Sequence, residues 1–320
     1  MKILITGGCG FIGSNFIRSL LGRTKDIEIV NLDKLTYAGN PENLRDIEHD
    51  PRYQFIKGDI CDRSKVSEAV EGCDAVINFA AESHVDRSIA DADAFVRTGV
   101  IGVQVLLDSA RKAGVSRFIQ IGTDEVYGSI REGAFSEISP LNPSSPYSAS
   151  KAAGDMLALS YFRTFGMPVI VTRSSNNYGP FQFPEKLIPL FITNCLEGKS
   201  LPLYGDGTNV REWIHVLDNC RAIELVLERG VPGEIYNISS GRELTNREIA
   251  LTIVRKFELP ERFITPVADR PGHDFRYAMD CTKIAGLGFV ADTDVKTGLE
   301  DTIAWYRDHS QWWKPLKDKN

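Results

Sequence analysis

The chain has 320 residues, 42% hydrophobic and 25% charged, which is close to an average soluble globular protein and argues against a disordered, collagen-like or disulfide-scaffold chain. Its length predicts about two domains or one large one. The net charge of −6, without a block of five or more like charges, argues against nucleic acid or an anionic membrane as a partner.

The amino terminus predicts neither a signal peptide nor a membrane span, because its apolar run stops at Thr6 and continues into glycines. The six cysteines contain no C-x-x-C pair, and the five histidines lack metal-ligand spacing. We therefore expect reduced, buried thiols, no metal site and a cytoplasmic location.

The first half of the sequence alternates short β-branched runs with longer amphipathic stretches, a pattern typical of repeated βαβ units. The predicted strands are 2–6, 28–32, 54–57, 75–79, 117–121 and 169–172. The helices predicted between them cover 14–22, 64–71, 92–113 and 147–165. The strands are apolar without strict alternation, so we expect both faces of the sheet to be covered. The fold class predicted is α/β, with a Rossmann-type doubly wound parallel sheet.

The character of the sequence changes after residue 173, where prolines at 180, 184, 189 and 202 break the alternation. Helices are predicted at 184–197 and 246–257, among longer loops. This pattern predicts a first domain over 1–173 and a smaller α/β domain over 174–320. The segment 213–238 predicts a further helix (220–228) and strand (234–238), which we expect to return to the main sheet.

A glycine-rich turn, with Gly7, Gly8, Gly10 and Gly13, follows the first strand and opens the first helix. It satisfies both G-x-G-x-x-G and G-x-x-G-x-x-G. An ordinary tight turn is the alternative, but the position between strand and helix favours binding of a dinucleotide pyrophosphate at the helix amino terminus.

Polar residues follow the next strands at the edge where open α/β sheets bind ligands. Asp33 ends the second strand about 20 residues after the glycine turn, where an acidic residue takes the ribose hydroxyls of NAD and repels the 2′-phosphate of NADP. Lys34 could tolerate that phosphate. Asp59-Ile60 and Ala80-Ala81 end the third and fourth strands, although Asp59 fits a helix cap equally well.

Tyr147 and Lys151 are spaced i, i+4 on a helix that Ser145-Pro146 is predicted to start, so both side chains emerge on one face. In a dry pocket a neighbouring ammonium lowers the pKa of a phenol, which suits a base for hydride transfer. A surface pair that arose by chance is the alternative, and the upstream dinucleotide turn disfavours it.

Two adjacent carboxylates, Asp124 and Glu125, follow Thr123 at the end of the fifth strand. Acid–base elimination needs one protonated carboxyl to release a hydroxyl and one ionised carboxyl to take a proton from carbon. Taken alone, a capping Asp followed by a solvated Glu is an equally good interpretation.

Together these motifs are specific. They are the glycine turn and the segments 33–40, 80–88, 123–128, 147–151, 176–180, 184–189 and 269–274. On them, the chain resembles the extended short-chain dehydrogenase/reductase family, and within it the nucleotide-sugar 4,6-dehydratases, from the glycine turn to about Tyr306. Epimerases of the same family typically lack the acid pair after the Ser or Thr.

The resemblance implies a catalytic cycle. Tyr147, helped by Lys151 and Thr123, takes the proton of the sugar C4 hydroxyl during oxidation by NAD. Glu125 then removes the C5 proton while Asp124 protonates the departing C6 hydroxyl. The product is a 4-keto-6-deoxy sugar nucleotide, with no net NAD consumption. A 4-epimerase or a decarboxylase is the nearest alternative, and an NAD-sensing regulatory protein without turnover is another.

The resemblance also implies two binding sets. The residues implied for NAD are Gly7, Gly10, Phe11, Ile12, Gly13, Asp33, Lys34, Leu35, Thr36, Asp59, Ile60, Phe79, Ala80, Ala81, Ser83, Thr98, Tyr147, Lys151 and Asn177. Those implied for the sugar nucleotide are Ser83, Thr123, Asn176, Lys186, Leu187, Pro202, Leu203, Tyr204, Arg211, Asn246, Arg270 and His273. The two arginines suit a diphosphate. The expected substrate is dTDP-glucose, with UDP-glucose as the alternative.

The helices predicted at 92–113 and 147–165 are apolar around more than one face, so something must cover both faces. Burial within the monomer is one explanation. The family precedent is a homodimer joined by a four-helix bundle, which we favour.

Overall fold

The computed structural model describes residues 1–269 and 272–317 of the chain. The strands, numbered in chain order, are β1 (Lys2–Thr6), β2 (Glu28–Asp33), β3 (Tyr53–Lys57), β4 (Ala75–Asn78), β5 (Arg117–Thr123), β6 (Val169–Ser174), β7 (Asn176–Tyr178), β8 (Leu201–Tyr204), β9 (Val210–His215), β10 (Ile235–Ile238), β11 (Glu243–Thr245) and β12 (Ile264–Val267). The α-helices are α1 (Phe11–Arg23), α2 (Arg63–Val70), α3 (Val85–Ala90), α4 (Asp93–Val96), α5 (Val103–Ala113), α6 (Pro146–Phe165), α7 (Leu187–Leu196), α8 (Val216–Arg229), α9 (Asn246–Lys256), α10 (Thr282–Ala285), α11 (Val295–Asp308) and α12 (Ser310–Lys317).

Seven strands form one parallel sheet in the order β10-β6-β5-β4-β1-β2-β3. The six strands predicted in the first half are all present, and β4 and β6 are buried along their whole length. The edge strand β3 is largely exposed. The order of the strands reverses between β1 and β4, because β2 and β3 are added on one side of β1 and β4, β5 and β6 on the other. This reversal creates a crevice at the carboxyl ends of β1 and β4.

Helices cover both faces of this sheet, which confirms the doubly wound α/β fold. On one face the apolar core includes Phe16 of α1 and Ile223 of α8. On the other face it includes Val66 of α2, Leu107 of α5 and Ala158 of α6. The strands inside the sheet therefore bury side chains on both sides, which explains their continuous apolar runs in the sequence.

Helix α6 begins as the sequence predicts, because Ser145 caps it. The Ser145 side chain accepts a hydrogen bond from the backbone N–H of Ser148, and the Ser148 hydroxyl accepts one from the backbone N–H of Ser145. Pro146 occupies the first turn, where its missing N–H costs nothing. This start fixes the first turns of the helix, which carry Tyr147 and Lys151.

The single helix predicted at 92–113 is interrupted. A π-helical segment, Arg97–Gly102, separates α4 from α5. Such segments insert one residue into the helical ladder and occur frequently at functional sites. Periodicity could not reveal the interruption, since the apolar face continues across it. The segment includes Thr98, which lines the crevice at the sheet edge.

The second half of the chain forms smaller sheets, β11-β9-β7 and β12-β8. Their core includes Phe191 of α7, Ile253 of α9 and Tyr306 of α11. The chain then runs from β9 through α8 into β10, which pairs in parallel with β6 of the main sheet. The predicted helix at 220–228 begins earlier, at Val216, with His215 as its cap.

Within residues 1–269 and 272–317, no helix is long and apolar enough to span a membrane. The same residues contain no cluster of His, Cys, Asp or Glu that could hold a metal ion. All six cysteines are free thiols.

Candidate active site

Two adjoining clefts open at the carboxyl edge of the main sheet. The smaller, of about 310 Å³, lies over β1, β4 and β5. The larger, of about 1320 Å³, lies between this sheet edge and the second half of the chain. Both clefts are lined by Thr36, Gly39, Glu125, Asn176, Phe183 and Lys186. Ligands in the two clefts would therefore meet near these shared residues, which include the candidate base Glu125.

The glycine turn forms the floor of the smaller cleft at the amino terminus of α1. Gly10 is the cap of this helix and supplies no side-chain cap, so the helix presents backbone groups to the cleft. A Cβ atom at Gly13 would lie 2.5 Å from the carbonyl oxygen of Gly7 and 2.9 Å from the Cα of Gly8. This close approach is the cradle that a dinucleotide pyrophosphate requires, so the smaller cleft fits NAD.

Replacing Gly13 by Ala is expected to lower the free energy of unfolding by about 1–3 kcal/mol, because the atoms that it meets are backbone and cannot rotate away. NAD affinity should fall as well, since the turn must shift. Gly22→Ala is the matched control: it lies on the same helix with nothing within 4 Å of the added Cβ, and it should stabilise the protein by about 0.5–1 kcal/mol. Urea unfolding and NAD calorimetry on both variants test this, and equal effects of the two changes would contradict it.

Asp33 holds the adjoining loops at the end of β2. Its carboxylate accepts hydrogen bonds from the backbone N–H groups of Cys9 (2.9 Å) and Leu35 (2.8 Å), while burial raises its pKa. The ammonium of Lys34 pairs with Asp59 at 2.8 Å. Because Asp59 engages this cation, Lys34 is poorly placed to offset the repulsion between Asp33 and a 2′-phosphate.

The residues implied for NAD lie together, with one exception. All but Leu35 line the smaller cleft. Leu35 lines the larger cleft instead, because the chain turns at this residue with a φ of 59°. An apolar side chain in the left-handed region is a local feature that no spacing rule predicts.

The five residues predicted to be catalytic all line the smaller cleft. Burial raises the pKa of Tyr147, the charges of Glu125 and Asp124 raise it further, and a hydrogen bond with Thr123 opposes them. The Lys151 ammonium donates a hydrogen bond to the backbone carbonyl of Ile121, and burial lowers its pKa. The effect of the Lys151 ammonium on the Tyr147 phenol stays a prediction, because the ammonium is directed to this carbonyl.

The two acids of the pair have different environments. Asp124 is 3% exposed, and its Oδ1 accepts a hydrogen bond from the Thr123 hydroxyl at 3.1 Å while its Oδ2 is buried without a hydrogen-bond partner. Burial raises the pKa of Asp124 well above its usual range, and the nearby Glu125 and Glu212 raise it further. Glu125 is only partly buried, between the two clefts. Asp124 is thus suited to be the protonated acid and Glu125 to be the base.

Replacing Asp124 by Asn is expected to change the pH dependence of stability. A carboxyl whose folded pKa is raised stabilises the fold below its unfolded pKa, and this contribution is lost as the pH rises through the folded pKa. The free energy of unfolding of the wild type should therefore fall relative to the variant as the pH rises above 3.8, by at most about 1.4 kcal/mol per pH unit.

Urea unfolding at a series of pH values measures this difference. Asp46→Asn is the control, because its effect on the pH dependence of stability should have the opposite sign. Partial burial raises the pKa of the Asp46 carboxyl, but Arg18 outweighs this effect and holds the pKa below its usual range. Its contribution is present above the unfolded pKa and lost as the pH falls. Parallel pH curves for wild type and Asp124→Asn would contradict a raised Asp124 pKa.

Most residues implied for the sugar nucleotide line one of the clefts. Asn176, Lys186, Leu187, Pro202, Tyr204, Arg211, Asn246 and His273 line the larger cleft, and Ser83 and Thr123 line the smaller one. Leu203 lines neither, because alternate residues of β8 face opposite sides and its side chain lies in the core. Arg270 lies outside the described residues.

Arg211 is held rigidly in the wall of the larger cleft. Its guanidinium donates hydrogen bonds to the backbone carbonyls of Val210 (2.7 Å) and Asp274 (2.9 Å) and lies over the Tyr277 ring, 4.4 Å from its centroid. A fixed, planar cation of this kind suits a diphosphate.

Three residues of one cluster in the clefts, Tyr37, Arg87 and Glu185, are not among the residues that the resemblance implies. The Tyr37 hydroxyl lies 2.6 Å from the Ser83 carbonyl and 2.7 Å from the Glu185 carboxylate, and Arg87 covers the Tyr37 ring at 3.9 Å. Tyr277, at the wall of the larger cleft, is a second omission. The segments 33–40, 80–88 and 184–189 contain the first cluster, but a motif does not reveal which of its residues meet across the fold.

The comparisons with known proteins agree with this geometry. Residues 4–302 match the GDP-mannose 4,6 dehydratase family. The chain is 53% identical to a dTDP-glucose 4,6-dehydratase of Streptomyces niveus, over 99% of this chain and 96% of the relative.

Two solved structures show the same fold. The dTDP-glucose 4,6-dehydratase DesIV of Streptomyces venezuelae, solved with NAD and dTDP bound, superposes with a TM-score of 0.97 at 52% identity, covering 99% of this chain and 100% of that one. A UDP-glucose 4-epimerase of Thermus thermophilus, solved with NAD, has a TM-score of 0.89 at 30% identity, with 97% and 100% coverage. The full-length match and these similarities together show that the chain belongs to the GDP-mannose 4,6 dehydratase family.

Proposed function

We propose that this protein is an NAD-dependent dTDP-glucose 4,6-dehydratase, a hydro-lyase that forms dTDP-4-keto-6-deoxyglucose. The observation that carries the proposal is the acid pair: a buried Asp124 with a raised pKa beside a less buried Glu125, where the two clefts adjoin. Relatives named dTDP-glucose 4,6-dehydratase at about half identity over the full chain support it.

NAD is the cofactor. Residues of the glycine turn would hold its pyrophosphate, and Asp33 would lie at its adenosine ribose. When bound, NAD would supply the acceptor that takes a hydride from C4 of the sugar and later returns it to C6, while a proton goes back to C5. Thr98, Tyr147, Lys151 and Asn177 also line this cleft and would hold NAD as well.

The first chemical role belongs to Tyr147, which takes the proton of the sugar C4 hydroxyl as that carbon is oxidised to a ketone. Because burial raises the pKa of Tyr147, its phenolate needs support. The hydrogen bond with Thr123 lowers that pKa, and the buried Lys151 contributes a positive charge on the same face of α6.

The acid pair, Asp124 and Glu125, carries out the elimination of water. The C4 ketone makes the C5 proton acidic, so Glu125 can remove it as a base. Asp124, kept protonated by burial, gives its proton to the C6 hydroxyl, which leaves as water. Keeping the two carboxylates in unlike environments separates acid from base within one short turn.

The sugar nucleotide is assigned to the larger cleft, with Arg211, His273 and Lys186 as groups around its diphosphate and sugar. The relatives' substrate names favour thymidine over uridine as the base. Binding calorimetry with dTDP-glucose and UDP-glucose measures this preference directly, and tighter binding of UDP-glucose would overturn it.

The direct test is incubation of the pure protein with dTDP-glucose, followed by treatment with alkali and measurement of the ultraviolet absorbance of the 4-keto sugar. A signal that depends on both protein and substrate supports the dehydratase. Clean conversion to a galactose nucleotide would identify a 4-epimerase instead, the activity in the name of the Thermus thermophilus structure. Absence of any turnover would favour the regulatory alternative.

Three further assignments complete the proposal. Residues 1–173, with a return at 213–238, form the NAD-binding domain, and 174–320 form the sugar-nucleotide domain. The protein is a homodimer through a four-helix bundle, supported by the exposed apolar side chains of Val96, Ile101 and Met156 in the helical segments 93–102 and 146–165; light scattering measures its mass. Its location is cytoplasmic, supported by its free cysteines.

A further inference from the structure

A buried ion pair lies behind the candidate catalytic residues and has no role in the proposed reaction. Asp155 is two helical turns beyond Tyr147 and one turn beyond Lys151 on α6, so the three side chains share a face. Its Oδ2 lies 2.9 Å from the Nε of Arg173 on β6, and both side chains are almost fully buried. Taking two charges out of water is costly, so a pair retained here calls for a physical reason.

The pair is imperfect as a salt bridge. Asp155 Oδ1 and Arg173 Nη1 are buried without hydrogen-bond partners, so only one N–H···O contact is made where a planar guanidinium could make two. For stability alone, a bidentate pair or an apolar pair would serve better. The unmatched carboxylate oxygen leaves negative charge available to other cations nearby.

The carboxylate lies against the strand that receives Lys151. A Cβ atom at Gly122 would be 2.7 Å from the Thr172 carbonyl oxygen and 3.1 Å from both Asp155 oxygens, so the position fits a glycine. Gly122 stands between Ile121, whose carbonyl accepts the Lys151 hydrogen bond, and Thr123, which bonds to Tyr147. The Asp155 carboxylate thus lies beside the strand segment whose neighbouring residues bond to Lys151 and Tyr147.

Arg173 connects this helix to the turn with the acid pair. Its guanidinium lies over the ring of Tyr127, 4.7 Å from the centroid, and Tyr127 follows Asp124 and Glu125 in the same short helix. The Tyr127 hydroxyl is in turn held by Asn237 of β10 at 2.8 Å. One buried cation therefore contacts both Asp155 on α6 and Tyr127, which lies in the short helix with the acid pair.

We propose that Asp155 is a positioning residue for the oxidation step: its carboxylate, held by Arg173, keeps the Lys151 ammonium charged and directed at the floor of the cleft. The inference rests on the proposed function, because Lys151 matters to turnover only if Tyr147 is the base. Asp155 touches neither substrate nor cofactor and acts through Lys151 alone.

The electrostatics of the surrounding groups agree. Burial lowers the pKa of Lys151, and Asp155 is the charged group that opposes this effect. Burial raises the pKa of Asp155, and the Arg173 guanidinium on β6 and the Lys151 ammonium on the same helix oppose this effect by favouring the ionised carboxylate. Tyr147 is faced by Glu125, Asp124 and Tyr37, whereas Arg173 is faced by Asp155 and Tyr127.

The experiment compares the pH dependence of dTDP-glucose turnover and the thermal unfolding midpoint in three variants. In Asp155→Asn the Lys151 ammonium loses its counter-charge and is deprotonated at lower pH. The pH above which kcat declines should therefore fall by about one unit or more. At a given pH above that point, kcat should be about tenfold lower than in the wild type. The unfolding midpoint should fall too, because Arg173 is left buried and unpaired.

The double variant Asp155→Asn/Arg173→Gln separates positioning from structural support. It removes cation and anion together, so the unfolding midpoint should largely recover while the shifted limb persists. If Asp155→Asn alone does not fold, this variant provides the measurement. Recovery of the wild-type limb in the double variant, or an unshifted limb in Asp155→Asn, would overturn the inference.

Asp108→Asn is the matched control. Asp108 also bonds to α6, through the Tyr161 hydroxyl at 2.6 Å, but it lies on α5 and is not among the charges that act on Lys151. Its pH profile should match that of the wild type. A wild-type protein that does not convert dTDP-glucose would defeat the proposed function, whereas an active wild type with an unshifted Asp155→Asn limb defeats this inference only.

Discussion

Replacing Tyr147 by Phe is expected to lower dTDP-glucose turnover by about 10²–10⁴-fold, the usual contribution of a positioned proton acceptor. The variant loses the only atom that can take the C4 hydroxyl proton from this position, while the ring and its edge contact with Phe95 at 6.2 Å remain. The variant should be blocked at the first step, the oxidation of the sugar at C4. Mixing it with NAD and substrate should therefore produce almost no absorbance of reduced cofactor.

Tyr161→Phe provides the control for this change. It removes a hydroxyl from the same helix, where it bonds Asp108 away from the clefts, and turnover should stay near the wild-type value. NAD affinity should also stay near the wild-type value in Tyr161→Phe. A Tyr147→Phe protein that reduces the cofactor at the wild-type rate would remove Tyr147 from its role.

Replacing Glu125 by Gln is expected to separate the two halves of the reaction. The amide cannot remove the C5 proton, so water loss should slow by about 10²-fold or more. Oxidation at C4 does not need this carboxylate, so reduced-cofactor absorbance should accumulate in a single turnover instead of rising and decaying. Stopped-flow absorbance, with the alkali assay for the product, follows both steps.

Glu137→Gln is the matched control variant for Glu125→Gln. Glu137 also lies near the main sheet, but its carboxylate accepts the backbone N–H of Asn237 at 3.1 Å, a bond that the amide oxygen can also accept. Both steps should be unchanged in this variant. Dehydration at the wild-type rate in Glu125→Gln would show that another group removes the C5 proton.

The parts of the fold that the sequence predicts well are those with strong periodic or capping signals. Strands β1 and β6 are buried on both faces, so their apolar runs stand out, and the Ser145-Pro146 start of α6 is a local signal. The π-helical segment 97–102 and short strands such as β7 and β11 depend on packing between distant parts of the chain, which no local pattern expresses.

The site divides in the same way. Spacing and resemblance give the residue types that line the clefts, because backbone topology brings strand ends together. They do not give charge environments: burial and the charges of Glu125 and Asp124 raise the pKa of Tyr147, and the Asp155–Arg173 pair is absent from the motif. Both depend on burial and on contacts between residues distant in the chain.

The return of the chain to the main sheet also determines when the nucleotide-binding half can be completed. Strand β6 finds its outer neighbour in β10, whose residues follow the whole excursion through β7, β8 and β9. During synthesis, the β6 edge therefore stays unpaired until residue 238 has left the ribosome, and unpaired strand edges favour aggregation. A fragment cut after residue 173 would keep that open edge permanently, so the two units are coupled in folding as well as in their shared clefts.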